Sequence, residues 1–287
     1  MLTLLMASAL LLPGTAPQQT DTTFSASGLN TLSVENRNGA TIVRGWDREQ
    51  VRVRAAARPR DRIEIDVDRP GAMILVETGR GQDVQYEIDV PVRMAVIVEG
   101  VNQSVRIDNI MAPISVASVN GEIVVRGGRR KVVLETVQGR ITLEGAAGSI
   151  DVSSTNNAVQ IRRSSGSIIV ETVNGAVTLD DIRATRVDAS TVNGGLSFSG
   201  PLASDGRYIF STHNGTIDMR VPQSTDAMFI VSTFNGEFEV DFPIQLRDVD
   251  TRGQYEFRLG NGAARVELES FSGNVRVLRA RQGSGGQ

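Results

Sequence analysis

The chain has 287 residues, 40% of them apolar and 22% charged, with a net charge of −3 and no cysteine. That composition supports one or two domains with a sizeable core and excludes a disulfide framework. The 30 basic residues include one lysine, Lys131, and form no basic block, which argues against a nucleic-acid partner.

Residues 1–12 read M-L-T-L-L-M-A-S-A-L-L-L and are followed by Pro13, Gly14 and a polar stretch. An apolar run of this length is too short to span a bilayer, so residues 1–20 are expected to be a signal peptide removed on export. No other segment approaches the apolar length of a span, so no stable membrane span is expected after its removal. Residues 21–100 have strand-like alternation at 51–57, 63–67, 73–77 and 84–90, with turns at Pro70-Gly71 and 79–81. Their spacing is irregular, and they are expected to form a mostly antiparallel N-terminal β-cap. An Asn38-Gly39 turn opens the region and Pro91 closes it.

From residue 101 to 280 one phrase recurs, clearest in I-I-V-E-T-V-N-G-A-V-T-L at 168–179. Its turn residues are Asn102, Asn120, Gln138, Asn156, Asn174, Asn193, Asn214 and Asn235, separated by 18, 18, 18, 18, 19, 21 and 21 residues. A fixed period of this size marks stacked supersecondary units. The fourth residue before the turn is apolar, as in Val116, Leu134, Val152 and Val170. The third and fifth after it are apolar too, as in Ile141 and Leu143. Side chains alternate along a strand, so these positions share one buried face. The second residue before the turn is Ser or Thr, and the Asn is expected to share its inward parity, stacking as a hydrogen-bonded ladder. Residues 243–260 break the period as an insertion, a last coil follows near 266–278, and 281–287 is a Gly/Ser tail expected to be disordered.

Two architectures satisfy this pattern. Asn-Gly between alternating runs is a strong hairpin signal, which would give a long antiparallel meander or sandwich. The favoured reading is an all-β parallel solenoid of about 18–21 residues per coil, because it encloses the apolar face and stacks like side chains on like. The slot six after the turn discriminates between them. It reads Asp108, Arg126, Glu144, Arg162, Asp180, alternating in sign. In a solenoid these charges are neighbours at ~4.8 Å, whereas in a meander a strand intervenes.

Chemistry is thinly represented. His213 is the single histidine and occupies a slot filled elsewhere by valine, so it is read as structural. One histidine excludes a multi-histidine metal site within the chain. The acidic pairs Asp180-Asp181 and Asp248/Asp250 are of turn type, and no catalytic residue, metal site or cofactor is expected. Trp46 is read as a packing residue. The slot just before the turn is apolar and outward: Val119, Val137, Val173, Val192, Phe234 and Phe271. Ile209 and Ile230 join it through another outward slot, making a candidate contact stripe.

The phrase Gly45-Trp46-Asp47, the ending Asp89-Val90-Pro91 and the repeated T-x-N-G motifs resemble the bacterial putative-adhesin family, a β-strand-repeat domain of unknown function. The resemblance covers about residues 24–278. It implies an extracytoplasmic β-solenoid with an adhesion or cell-envelope role and brings no catalytic residues. The expectation is therefore a non-enzymatic exported module that binds a protein or glycan at the cell envelope. The alternatives are a carbohydrate-active β-helix enzyme and an assembly or regulatory component that contacts a membrane protein.

Overall fold

In a computed structural model the described residues are 18–280, apart from 59–62, 69, 80–82, 245, 251 and 252. Of the expected signal segment, residues 1–17 lie outside them, as does the tail from 281, whereas residues 18–20 open strand β1. Among the described residues the elements are strands, and there is no helix. The first seven are β1 (Gln18–Ser25), β2 (Thr31–Trp46), β3 (Gln50–Ala57), β4 (Ile63–Asp68), β5 (Met73–Thr78), β6 (Val84–Pro91) and β7 (Ala95–Ile110).

Regular coils follow, each supplying one strand to either side of the core. They are β8 (Ile114–Asn120) with β9 (Ile123–Gly127), β10 (Arg129–Gln138) with β11 (Ile141–Glu144), and β12 (Ala147–Asn156) with β13 (Val159–Arg162). Next come β14 (Ser165–Asn174) with β15 (Val177–Asp180), β16 (Arg183–Asn193) with β17 (Leu196–Ser199), and β18 (Arg207–Asn214) with β19 (Ile217–Val221). The chain ends with β20 (Ala227–Asn235), β21 (Phe238–Val240), β22 (Leu246–Asp250), β23 (Gln254–Leu259), β24 (Ala264–Ser272) and β25 (Val275–Arg279).

These coils stack in parallel register, so the fold is the solenoid and not the meander. Leu134 lies beside Val116 and Val152, and Val170 beside Val152 and Ala189, so the fourth-before column is continuous. The charged slot is also in register: Asp108 beside Arg126, Arg126 beside Glu144, Glu144 beside Arg162, and Arg162 beside Asp180. The two strand layers face each other across a core of Val, Ile and Leu that is almost wholly buried. Toward the C-terminal end the filling becomes aromatic. Phe198 packs edge-on against Phe210 (ring centroids 5.6 Å apart) and Tyr208 (5.9 Å), beside the small Ala189 in the same column.

At both ends the spatial order departs from the chain order. Strand β2 is long enough to serve both layers, and it pairs in parallel with β7 on one side and with β5 and β6 on the other. Parallel coils therefore begin at residue 31, and the antiparallel pairings of the N-terminal region are those of β1 with β3, β3 with β6, and β4 with β5. At the other end β24 and β25 insert between coil β18–β19 and coil β20–β21, and the antiparallel pair β22–β23 covers β20. The last coil in sequence is thus an interior one in space. The antiparallel strands cover parallel edges that would otherwise be open for pairing.

The Asn-Gly corner owes its glycine to close packing between coils. A Cβ at Gly194 would stand 2.1 Å from the Gly175 carbonyl oxygen, and one at Gly215 1.9 Å from that of Gly194. None of Asn102, Asn120, Asn156, Asn174, Asn193, Asn214 and Asn235 has positive φ, unlike the two-residue hairpin turn, whereas Asn157, in the glycine's place, has φ 144°.

Candidate functional site

The corner that carries the repeats is also the most distinctive surface. Inward alternation ends at the Ser/Thr before each turn, because the backbone bends there. The two residues that follow both face outward. This corrects the expected parity of the Asn ladder: Asn174, Asn193, Asn214 and Asn235 lie outward of the core, while Thr172, Thr191, Thr212 and Thr233 are buried. The Asn side chains still bond along the stack. Asn102 Nδ2 donates to Asn38 Oδ1 (3.0 Å), Asn120 to Asn102 (2.7 Å), Asn174 to Asn156 (3.0 Å), Asn193 to Asn174 (2.9 Å) and Asn214 to Asn193 (2.9 Å). Gln138 stands in the same register between Asn120 and Asn156, and Ser272 separates Asn214 from Asn235.

The slot before the Asn forms a continuous outward column. Val119, Val137, Val173 and Val192 are about two-fifths exposed, and Val101 extends the run toward the N-terminus. At the other end the column becomes aromatic. The His213 ring stacks on Phe271 at 4.7 Å and Phe271 on Phe234 at 5.1 Å, with Phe234 69% exposed. The intercalated coil makes this stack, since Phe271 follows Phe234 in sequence but sits between it and His213. Ile209 and Ile230 are half-buried and lie four residues upstream, on the flat face. Ser211 and Ser232 intervene, so these two isoleucines do not join the stripe.

Beside the stripe runs a groove. Its wider part has a volume of about 500 Å³ and is lined by Glu35, Arg37, Glu99 and Glu135 and by Val101, Val119 and Val137 of the stripe. A second part of about 350 Å³ continues it past Glu171, Val173 and Val192. The buried Ser/Thr column lies beneath. Thr191 and Thr212 Oγ1 donate to carbonyl oxygens of the preceding coil (Gly175, 3.1 Å; Gly194, 3.0 Å), whereas Thr136, Ser154 and Thr172 hydroxyls have no hydrogen-bond partner among the described residues. At the N-terminal end the side chains of Asn36, Thr41 and Gln103 are fully buried and linked. Among the described residues Asn36 Oδ1 and Gln103 Nε2 are left without partners.

The carboxylates of this groove contrast with the charges on the opposite layer. There, signs alternate across adjacent strands: Arg52, Asp89, Arg44, Asp108, Arg126, Glu144, Arg162, Asp180. Arg126 reaches Asp108 at 2.9 Å and Glu144 at 3.7 Å, and Arg163 also pairs with Glu144. Burial raises the Asp108 carboxyl, but hydrogen bonds from Arg106 and Arg126 outweigh it and hold it below the usual carboxylate range. On the groove side like charges meet instead. Glu64, Glu77, Glu35 and Glu99 occupy four consecutive strands, and Glu135 and Glu171 follow at every second coil. No ion pair involves these six among the described residues. Like charges placed directly opposite are destabilising, so the row carries a cost that the other layer avoids. The described residues also include no cluster of His, Asp or Glu able to hold a metal ion. Trp46 is half-buried, its Nε1 donating to the Gln50 carbonyl (2.8 Å).

Stacked parallel coils, capped ends and a corner stripe define a parallel β-solenoid whose most distinctive surface is extended rather than a closed pocket. The sequence matches the family model Toastrack DUF4097 over residues 29–278, and the chain belongs to that family. No curated protein matches it. Solved structures similar to it include a putative cell adhesion protein from Clostridium sporogenes, at 8% identity and TM-score 0.29, covering 92% of this chain and all of that one. A putative lipid binding protein from Parabacteroides distasonis has 10% identity and TM-score 0.36, covering 91% of this chain and 97% of that one. A putative adhesin from the same organism has 10% identity and TM-score 0.25, covering 90% and 97%.

Proposed function

We propose that this protein is an exported, non-enzymatic binding or scaffold module at the bacterial cell envelope. The observation that carries the reading is the uninterrupted outward column from Val101 to Phe234, apolar at most of its positions and flanked by a groove. An exposed apolar strip of this extent on a rigid stack is a contact surface. It favours an elongated partner, protein or glycan, over a small molecule. The carbohydrate-active alternative would need a carboxyl desolvated enough to keep its proton at neutral pH. Glu99, Glu135 and Glu171 are exposed to water and repeat with the coils, which suits recognition better than acid catalysis.

Export is supported by the apolar run at residues 1–12, and strand β1 pairs with β3 over Gln18–Ser25. Cleavage close to residue 16 would leave that strand intact. Mass spectrometry of the protein from its host is expected to show an N-terminus near residue 17, and an intact Met1 on cytoplasmic protein would overturn the localisation. Function is tested by recovering the protein with envelope fractions. V137S/V173S is expected to abolish association while leaving the fold intact. Unchanged association would refute the role of the stripe.

A further inference from the structure

We infer that the groove beside the stripe binds an extended polyproline-type segment of a partner protein that carries Arg or Lys at every third position. This inference rests on the proposed role of the stripe and adds the chemistry of the occupant. Three observations carry it.

The first is charge. The protein alternates signs along the opposite layer but aligns Glu35, Glu99, Glu135 and Glu171 on the groove side. Arg37 lines one end of the groove, yet no ion pair among the described residues neutralises these carboxylates. A cationic partner supplies the missing counter-charge. The second is the composition of the walls. One wall is valine at nearly every coil, and the other alternates carboxylates with the small side chains of Ala117, Ser153 and Ser190. The occupant must therefore offer an apolar face to one side and spaced positive charges to the other.

The third is spacing. Glu99, Glu135 and Glu171 recur every second coil, which is ~9.6 Å at the usual inter-strand distance. A polyproline II segment repeats every third residue at ~9.3 Å. A β-strand brings equivalent side chains back at ~6.8 Å, and an α-helix returns to one face after seven residues at ~10.5 Å. Over the two intervals from Glu99 to Glu171 the polyproline repeat drifts by ~0.6 Å and the helical one by ~1.8 Å. The polyproline geometry also leaves its two intervening residues free to pack on the valines, as in other grooves that read preformed extended segments. Because the carboxylates are exposed, binding should be salt-sensitive.

The test uses the mature protein and two synthetic dodecapeptides of identical composition, titrated by fluorescence anisotropy at 50 and 500 mM NaCl. The first, PPRPPRPPRPPR, carries arginine at every third position; the second, PRPRPRPRPPPP, carries it at every second. The expected result is that the first peptide binds at least tenfold more tightly than the respaced one. Binding should weaken at least tenfold in E99Q/E135Q/E171Q, in V119S/V137S and at high salt, with cooperative thermal unfolding showing that both variants fold. Equal affinity for the two peptides would overturn the inference, as would tighter binding of a glucosamine hexamer or self-association that competes with the peptide. If V137S/V173S abolishes envelope association while neither peptide binds, the contact role of the stripe stands and the cationic polyproline occupant falls.

Discussion

Arg126 is the side chain on which the charge column can be tested most sharply, because it stands between two acids in register. Its guanidinium lies 2.9 Å from Asp108 and 3.7 Å from Glu144, and the three side chains are 45%, 24% and 28% exposed. Exposed pairs contribute ~0.2–1 kcal/mol each, so Arg126→Gln should cost about 0.5–1.5 kcal/mol. Arg126→Glu places three carboxylates on consecutive strands and adds repulsion of similar size, giving about 1–3 kcal/mol in total. No single compensating swap exists: reversing Asp108 would set it against Arg44, and reversing Glu144 against Arg162. The measurement is urea unfolding of both variants at low and high salt, with hydrogen exchange in β9 and β11 to locate the change. The Asp108 carboxyl is held low in the folded state, so its contribution is present above the unfolded value and is lost as pH falls through the folded one. The gap between wild type and Arg126→Gln should therefore close as the solution is taken below about pH 4. Equal stability of the Gln and Glu variants at low salt would refute the column as an electrostatic unit.

Three further outcomes follow from the same geometry. Glu99→Gln relieves repulsion with Glu35 and should raise stability by about 0.2–0.5 kcal/mol, opposite in sign to Arg126→Gln, in urea unfolding. Val170→Asp buries an unpaired charge in a fully enclosed position and should cost several kcal/mol, while Glu171→Ser should change stability by about 0.5 kcal/mol or less; calorimetry separates them. Gly194→Ala drives a Cβ to 2.1 Å from the Gly175 carbonyl oxygen, and the backbone must move apart between coils, so a loss of about 2 kcal/mol or more is expected on thermal unfolding.

Much of the fold was legible because a solenoid writes each structural layer into the sequence once per coil. The Val116–Leu134–Val152–Val170 column and the 108–126–144–162–180 charges could be read directly from an 18-residue period. The position of the terminal coils could not. Every coil offers the same apolar and hydrogen-bonding edges, so nothing local to 264–279 says that it sits beside 207–221 rather than beyond 227–240. The N-terminal coils were obscured for a related reason. Asn38 stacks on Asn102, 64 positions away along the chain, because the coil of β5 and β6 lies between them in sequence and beyond them in space. The groove escaped notice because alternating Glu, Ala and Ser read as a solvated face in one dimension. Its significance lies in the concavity and in the added Glu35, Glu77 and Glu64, which only stacking brings into line.

The interleaved ends also show what the charge pattern is for. The alternation on one layer continues through Arg44, Asp89 and Arg52, so that the residues met on moving outward from Asp108 are 44, 89 and 52, out of chain order. A pattern arising from sequence duplication alone would follow chain order and would fail where the coils are permuted. Here it follows spatial order, so the signs are matched to neighbours in the folded stack. The same stack carries Glu64, Glu77, Glu35 and Glu99 side by side on its other layer, where β2 also crosses and the same alternation was open to it. Two layers built by the same coils thus treat charge in opposite ways. One uses it to fix which coils are neighbours. The other accepts repulsion within the folded protein, and the proposed cationic partner would supply the counter-charge that the protein itself does not.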